Sequence, residues 1–387
     1  MLRVSIAALA VLTALVGPAG AARPTDPLAA TLDYESVDLP AAWDLETGSP
    51  DVVIAVVDSG VDAAHPDLAG ALVPGHNFLN ESDDTTDPVG HGTAVAGILA
   101  ARANNGIGAA GVCWNCRIMA LRVLRPEGFA LKTTMARAID YAVDHGAAVI
   151  NVSLYGEDRN GFLHDSIHRA REAGVLVATA AGNEGWSLLE YPAAYPDVIS
   201  VGATDEDGAL AFYSNRGPWV KLAAPGCVLT TQVGGGFGAG CGTSGATPIV
   251  AGIVALLRAH APFASSEQIE AALERTARPV AGVRFGRVDA FAALQLLGQP
   301  GLHLRPVVEG YAGIGRTLRV YTGVWAGAPA TLEYTWIRGA RTVVGHQLTY
   351  TVRRADLGAR LRCIVTARAA TDVVTATSPR TERVRVH

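Results

Sequence analysis

Between Val52 and about Leu297 the chain alternates continuous apolar runs with helix-spaced segments. The runs are Val52–Val57, Ile118–Val123, Ala148–Val152, Val175–Ala180 and Val198–Val201. They are rich in Val, Ile and Ala and lack the polar alternation of a half-solvated strand. Between them Met135, Ala138, Ile139, Ala142 and Val143 recur at helical spacing. Uninterrupted apolar strands separated by helices predict a parallel sheet covered on both faces, a doubly wound α/β body. From about Gly301 the pattern changes. Short alternating segments, Leu318–Tyr321, Leu332–Ile337, Gln347–Val352 and Leu361–Ala367, are separated by Gly/Pro turns without a convincing helix, which predicts a small all-β domain. Gln299-Pro300-Gly301 is the expected linker.

Composition changes the picture in two ways. Of 387 residues, 49% are hydrophobic and 17% charged, enough apolar material for a large core. A disordered tail and a nucleic-acid binder driven by bulk basic charge are thereby excluded. The net charge of −5 also hides an asymmetry: Gly301–His387 holds 13 Arg, no Lys and 5 acids, a balance of +8, so the remainder carries −13. That contrast suggests two separately composed domains. The basic part is expected to contact an acidic partner such as a cell surface or a glycan.

The first 21 residues read as a signal peptide: Arg3, the apolar run Val4–Val16, and Ala19-Gly20-Ala21 as an A-x-A cleavage site. No other segment has about 20 uninterrupted apolar residues, so no transmembrane span is expected after cleavage. The expected location is secreted or periplasmic, where five cysteines imply disulfides. Cys113 and Cys116 are close enough in sequence to pair. Cys-Trp-Asn-Cys lacks the second ligand pair of a metal site and the setting of a redox motif. Cys227 and Cys241 are the other candidates, although four cysteines allow three connectivities. Cys363 is left over and is expected as a buried thiol in a strand.

Four short motifs carry reactive groups where a strand ends or a helix begins. They are Val56-Val57-Asp58-Ser59-Gly60, Gly90-His91-Gly92-Thr93, Ala180-Ala181-Gly182-Asn183-Glu184-Gly185, and Gly242-Thr243-Ser244-Gly245-Ala246-Thr247-Pro248. In a parallel α/β sheet such ends share one edge. A serine hydroxyl is a weak nucleophile near neutral pH, so a neutral imidazole must take its proton and a buried carboxylate must orient that imidazole. Ser244 opens a helix, which aims main-chain N–H groups at a developing oxyanion. An amide on Asn183 supplies a further donor. Lone copies of these motifs are ordinarily caps and turns; it is their combination that points to catalysis.

In this order and spacing the four motifs resemble the subtilisin-type serine proteases, the subtilases, over about Ala41 to Leu297. The resemblance implies peptide-bond hydrolysis through an acyl-enzyme by Asp58, His91 and Ser244, with Asn183 as oxyanion donor, a protein or peptide as substrate and no organic cofactor. Two positions depart from the family. Gly245 stands where Met is usual after the nucleophile, and Ile249 where a His is usual; neither change removes a reactive group. The stretch between Ala21 and Val52 is shorter than the domain-sized pro-segment that secreted members commonly carry.

The same resemblance assigns Ser153-Leu154-Tyr155-Gly156 to the edge that pairs with extended substrate, with Gly128 near the opposite edge. Glu184 falls near the rim and Glu190 at the bottom of the primary specificity pocket, and two carboxylates there would favour Lys or Arg before the scissile bond. Asp67, in a His-Pro-Asp-Leu segment, and Asn105, in Asn-Asn-Gly-Ile-Gly, resemble ligands of a structural Ca²⁺ site. Asp83, Asp84 and Asp87 could hold a second ion, but a solvated acidic loop is the stronger expectation. The C-terminal segment, with Trp336 and Cys363, resembles bacterial Ig-like repeats. The expected layout is a signal peptide (1–21), an N-terminal extension (22–40), a peptidase domain (41–298) and an Ig-like sandwich (302–387). The rival expectation is an inactive subtilase-fold binding protein. A serine esterase is disfavoured because the chain lacks G-x-S-x-G.

Overall fold

A computed structural model describes residues 23–29, 33–156, 159–262, 264–298, 302–304, 306–322, 324–325, 331–368 and 373–386. The expected signal peptide and the 299–301 linker lie outside the described residues. The body contains strands β1 (Val53–Asp58), β2 (Leu72–Asn77), β3 (Arg117–Arg122), β4 (Val149–Val152), β5 (Leu176–Ala180), β6 (Val198–Thr204), β7 (Leu222–Pro225), β8 (Cys227–Gln232), β9 (Gly236–Cys241) and β10 (Gly286–Arg287). Its helices are α1 (Leu39–Trp43), α2 (His91–Ala100), α3 (Lys132–Asp144), α4 (Gly161–Glu172), α5 (Thr243–His260), α6 (Ser266–Thr276) and α7 (Ala290–Gly298). Eight strands form one parallel sheet in the order β10-β7-β6-β5-β4-β1-β3-β2. Every residue of β4, β5 and β6 is buried, as expected for strands covered on both faces.

Two apolar layers flank the sheet. One contains α2 and α5 with Ile54, Val56 and Val201; the other contains α3 and α4 with Ala55, Val57 and Ile150. The alternating inward faces of β1 thus serve both layers. Tyr34, Val37 and Leu39, in the stretch expected as an extension, are buried in the first layer. Strand β1 lies between β3 and β4, where the strand order reverses direction. Such a switch point leaves a crevice at the carboxyl ends of the strands, and Asp58 is the last residue of β1.

Beyond the body the described strands are β11 (Leu302–Leu304), β12 (Val307–Glu309), β13 (Thr317–Tyr321), β14 (Val324–Trp325), β15 (Thr331–Arg338), β16 (Thr342–Gly345), β17 (Thr349–Thr351), β18 (Leu361–Arg368) and β19 (Val373–Thr377). They pair antiparallel in sheets β12-β13-β17, β16-β15-β18-β19 and β11-β14. Leu318, Val320 and Tyr350 from the three-stranded sheet share a core with Trp336, Leu361, Cys363 and Val365 from the four-stranded one. Cys363 stands opposite Trp336 in the ladder. It is free and buried, and burial pushes its thiol up to about 11. No described helix is long and apolar enough to cross a membrane.

Candidate active site

Asp58 and His91 meet first. The Asp58 carboxylate is fully buried, and His91 Nδ1 lies 2.8 Å from Oδ1 and 3.0 Å from Oδ2. His91 is the first residue of α2, and five hydrogen bonds to Ser59 and Asp87 pin that helix end. Ser59 Oγ accepts from Gly92 N at 2.9 Å. Asp87 accepts from Gly90 N and Val89 N through Oδ1, and from Thr93 N and Oγ1 through Oδ2. A Cβ on Gly92 would collide with the Gly60 carbonyl and lie 3.2 Å from Asp58 Cβ; only glycine lets α2 approach β1 this closely.

Charge follows from this geometry. The Asp58 carboxylate raises the pKa of His91 more than burial lowers it, and Asp87 raises it further. Burial by itself would raise Asp87, but hydrogen bonds from Thr93, Gly90 and Ser59 outweigh that and hold it below the usual carboxylate range. Asp87, expected from sequence in a solvated acidic loop with ion binding as the alternative, is instead buried and anchors the His91 helix.

Ser244 is the second residue of α5. Its Oγ donates to the Ser153 carbonyl at 3.2 Å, and Ser153 Oγ donates back to the Ser244 carbonyl at 3.2 Å. No hydrogen bond joins Ser244 to His91 among the described residues; such bonds commonly tighten only when substrate binds. The hairpin β8-β9 delivers the nucleophile's turn. Cys227 and Cys241 face each other across it and are bonded, as are Cys113 and Cys116. Gly242 N donates to Gly226 O at 2.8 Å. A side chain at Gly245 would meet the Gly240 and Gly226 carbonyls at 2.8 and 3.2 Å, which gives a steric reason for glycine in place of the family's Met.

Asn183 is oriented by Thr243. Its Oδ1 accepts from Thr243 N at 2.8 Å and Thr243 Oγ1 at 3.0 Å. The carbonyl end being occupied, Nδ2 is the end left to donate beside Ser244. Gly242, at φ +106°, has no Cβ to crowd that amide; a built one would lie 3.2 Å from Nδ2.

The expected substrate edge is assembled around these groups. Gly156 and Tyr191 exchange main-chain hydrogen bonds of 3.0 and 2.8 Å. Tyr155 Oη donates to Glu184 Oε1 at 3.0 Å. Leu154 is half-buried and packs with the α3/α4 layer. Glu190 is buried, next to the cis Tyr191–Pro192 bond. Gly128 stands apart: it lies in an exposed turn at φ +88°, donates to Arg125 O and makes no hydrogen bond to the 153–156 edge.

Asp67 and Asn105 do come together, with Asn105 Nδ2 donating to Asp67 Oδ1 at 2.7 Å. Burial raises the pKa of Asp67, and Asp26 adds to the rise. Asp26, which sequence reasoning missed, accepts from the main-chain N–H groups of Asn104, Asn105 and Gly106 at 2.6, 2.9 and 3.1 Å. Both carboxylates are met here by N–H donors, and Asn105 Oδ1 accepts from Ile107 N at 3.0 Å; a hard cation would need carboxylate, amide and main-chain oxygens turned to it instead. No group of three Asp, Glu, His or Cys side chains that could hold a metal ion occurs among the described residues, so such a site would depend on amide and carbonyl oxygens.

Comparison with known proteins agrees with this architecture. The subtilase family matches residues 49–300. Thermitase of Thermoactinomyces vulgaris is 39% identical over 279 residues, covering 70% of this chain and 99% of thermitase. A thermophilic serine proteinase from a Bacillus species (strain AK1) is 41% identical over 258 residues, 65% of this chain; the match spans 64% of that protein. Among solved structures, a protease from Pseudoalteromonas arctica superposes with a TM-score of 0.67 at 32% identity, covering 71% of this chain and 99% of that one.

Proposed function

The chain belongs to the subtilase family of serine endopeptidases, and from that premise we propose that it is an exported enzyme cleaving peptide bonds through an acyl-enzyme on Ser244. The observation that carries the reading is the buried Asp58 carboxylate within 2.8 Å of His91 Nδ1, at the same sheet edge as the N-terminus of α5. With Nδ1–H held by Asp58, Nε2 is the basic nitrogen. It takes the Ser244 proton as Oγ attacks the substrate carbonyl carbon. The resulting oxyanion receives hydrogen bonds from Asn183 Nδ2 and the first N–H groups of α5. Imidazolium then protonates the leaving amine, and water repeats the sequence to release the acid. Substrate lies as an added strand along Ser153–Gly156, with Gly128 on the far edge.

Glu184 and Glu190 form the charged part of the primary pocket and favour Lys or Arg before the cleaved bond. Asp67 and Asn105, with Asp26 beside them, would hold a structural Ca²⁺ of the kind that steadies a loop. Residues 1–21 direct export, 41–298 form the catalytic domain, and the basic Ig-like region 302–387 serves attachment to an acidic surface or glycan. The rival reading is a binding protein without catalysis. A serine-reactive phosphonate separates the two: labelling that vanishes in Ser244→Ala supports the enzyme, and no labelling of folded wild type refutes it.

A further inference from the structure

The segments that carry Ser153, Asn183 and Ser244 touch pairwise near the nucleophile. Ser153 bonds Ser244, Gly156 pairs with Tyr191, and Asn183 bonds Thr243. A side-chain contact adds to these, Tyr155 Oη to Glu184 Oε1 at 3.0 Å. Tyr155 belongs to the segment that carries Ser153, and Glu184 follows Asn183, so the bond joins the substrate edge to the oxyanion loop.

Glu184 is held from behind as well. The fully buried Asn215 donates Nδ2 to Glu184 Oε2 at 3.0 Å and to Ala181 O at 3.0 Å. Its Oδ1 accepts from Glu184 N and Trp186 N, each at 3.2 Å. Asn215 N donates to Gly182 O at 3.0 Å. One buried amide thus fixes the loop that carries both Asn183 and Glu184. The carboxylate has a permanent partner on Oε2 and an exposed, exchangeable one on Oε1.

We propose that Tyr155 is a latch on the primary pocket, closed through Glu184 Oε1 and opened by any large side chain that enters before the scissile bond. Once the latch is open, Oε1 is available to the ammonium or guanidinium of Lys or Arg, while Asn215 keeps Oε2 and holds the carboxylate in place. Every large side chain meets the same cost of breaking the latch. Only a cation restores a charge-assisted hydrogen bond to Glu184. Small side chains do not need the latch to move. The proposal therefore assigns two discriminations to two residues: Tyr155 separates small from large, and Glu184 separates cationic from apolar. It rests on the pocket reading above and deepens it. Burial raises the pKa of the Tyr155 hydroxyl and Glu184 adds to the rise, outweighing the lowering by hydrogen bonds from Asn183, so the latch donor stays protonated through the neutral and mildly alkaline range.

The test uses Tyr155→Phe, Glu184→Gln and their combination in the full chain, with folding checked by circular dichroism. Calorimetry in the Ser244→Ala background measures benzamidine, a small cation that needs no catalysis to be read. Because the latch is one exposed hydrogen bond to a carboxylate, Tyr155→Phe is expected to tighten benzamidine about fivefold. Glu184→Gln should weaken it about tenfold, and Tyr155→Phe added to Glu184→Gln should gain less than it does alone. In the active enzyme Tyr155→Phe should raise kcat/KM about fivefold more for peptides with Arg or Leu before the bond than for peptides with Ala, and keep the Arg-to-Leu ratio; Glu184→Gln should lower that ratio. Unchanged benzamidine affinity in Tyr155→Phe, or an equal gain for Ala, overturns the latch while leaving the catalytic reading intact. Wild type that neither reacts with a phosphonate nor cleaves any peptide overturns both.

Discussion

Every residue of β5 and β6 in the α/β body is buried, whereas β13 and β18 in the C-terminal region alternate buried with less buried positions. The two regions also place their buried charge differently. In the body, Asp58, Ser59, Asp87 and Ser153 are buried close to His91 and Ser244, at strand and helix ends. In the C-terminal region the buried carboxylate of Asp356 is enclosed by its own fold: it accepts from Tyr350 Oη at 2.7 Å, Arg353 N at 2.8 Å and Arg338 at 3.3 Å. Buried polarity beside His91 and Ser244 supports chemistry, whereas Asp356, like Glu270 and Asp289 elsewhere in the body, supports internal cohesion. A sheet covered on both faces leaves only its strand ends for function, and the body uses them.

The strongest way to break this comparison is to show chemistry that depends on the β region. Ser244→Ala or His91→Ala is expected to reduce kcat by about 10⁶-fold, and the double change by little more, because the groups act as one unit. Ending the chain after Gly298 should leave small-peptide hydrolysis unchanged, since relatives matched over 99% of their own length correspond to about 70% of this chain. Loss of activity on truncation would make the β region part of the catalytic unit. Next in size, Asn183→Ala should lower kcat by about 10²–10³-fold, with Thr243 then losing the acceptor for its own N–H.

Stability probes sharpen the same division. If Ca²⁺ is held at Asp67 and Asn105 and present at about a hundredfold over its Kd, chelation removes about 2.7 kcal/mol. The body's melting midpoint should then fall by about 5–10 °C, and a midpoint indifferent to chelator removes the ion from the reading. Asp356→Ala strands Arg338 and Tyr350 and should destabilise the C-terminal region by about 2 kcal/mol. Peptide turnover should stay at the wild-type rate; a parallel loss of turnover would contradict the separation.

How much of this was legible in the sequence follows from the same contrast. Strands β1 and β3 to β6 are readable because burial on both faces makes them continuous apolar runs. Strand β2 escaped because it is a sheet edge containing Pro74 and Gly75, with mixed exposure. Strand β7 is only four residues long and ends in proline, and the β8-β9 hairpin is too glycine-rich to resemble a strand. The reactive residues stood out because close approach demands small neighbours, and glycine punctuates each motif. Their supports did not stand out. Asp26 reaches Asn105 across 79 positions, and Asn215 reaches Glu184 across 31. A hydrogen bond between such distant residues leaves no periodicity to read. Asp87 was visible as an acid, but its task as helix anchor depends on where α2 lies.

The finest test of the body concerns proton affinity. Asp58 favours the imidazolium of His91 more than burial disfavours it, and Asp87 adds to that preference, so the folded pKa lies above the ordinary imidazole value. A general base must be neutral, so the acid limb of kcat/KM should lie above about 6.5. Replacing Asp87 with Asn removes one of the negative charges and should move that limb to lower pH. The stability signs run in opposite directions. The raised pKa of His91 means that its pairing with Asp58 contributes fully below the unfolded imidazole pKa and is lost as pH rises through the folded value. Asp87, whose pKa is lowered, contributes above its unfolded pKa and loses that contribution as pH falls through the folded one. Asp87→Asn should therefore weaken the fold at neutral pH, flatten its acid-induced loss of stability, and still shift the activity limb downward. Following the His91 ring proton by NMR in the Ser244→Ala background separates titration from turnover. A resonance whose midpoint stays put would show that Asp87 holds α2 in place without tuning the base, and one that moves upward would contradict the expected sign.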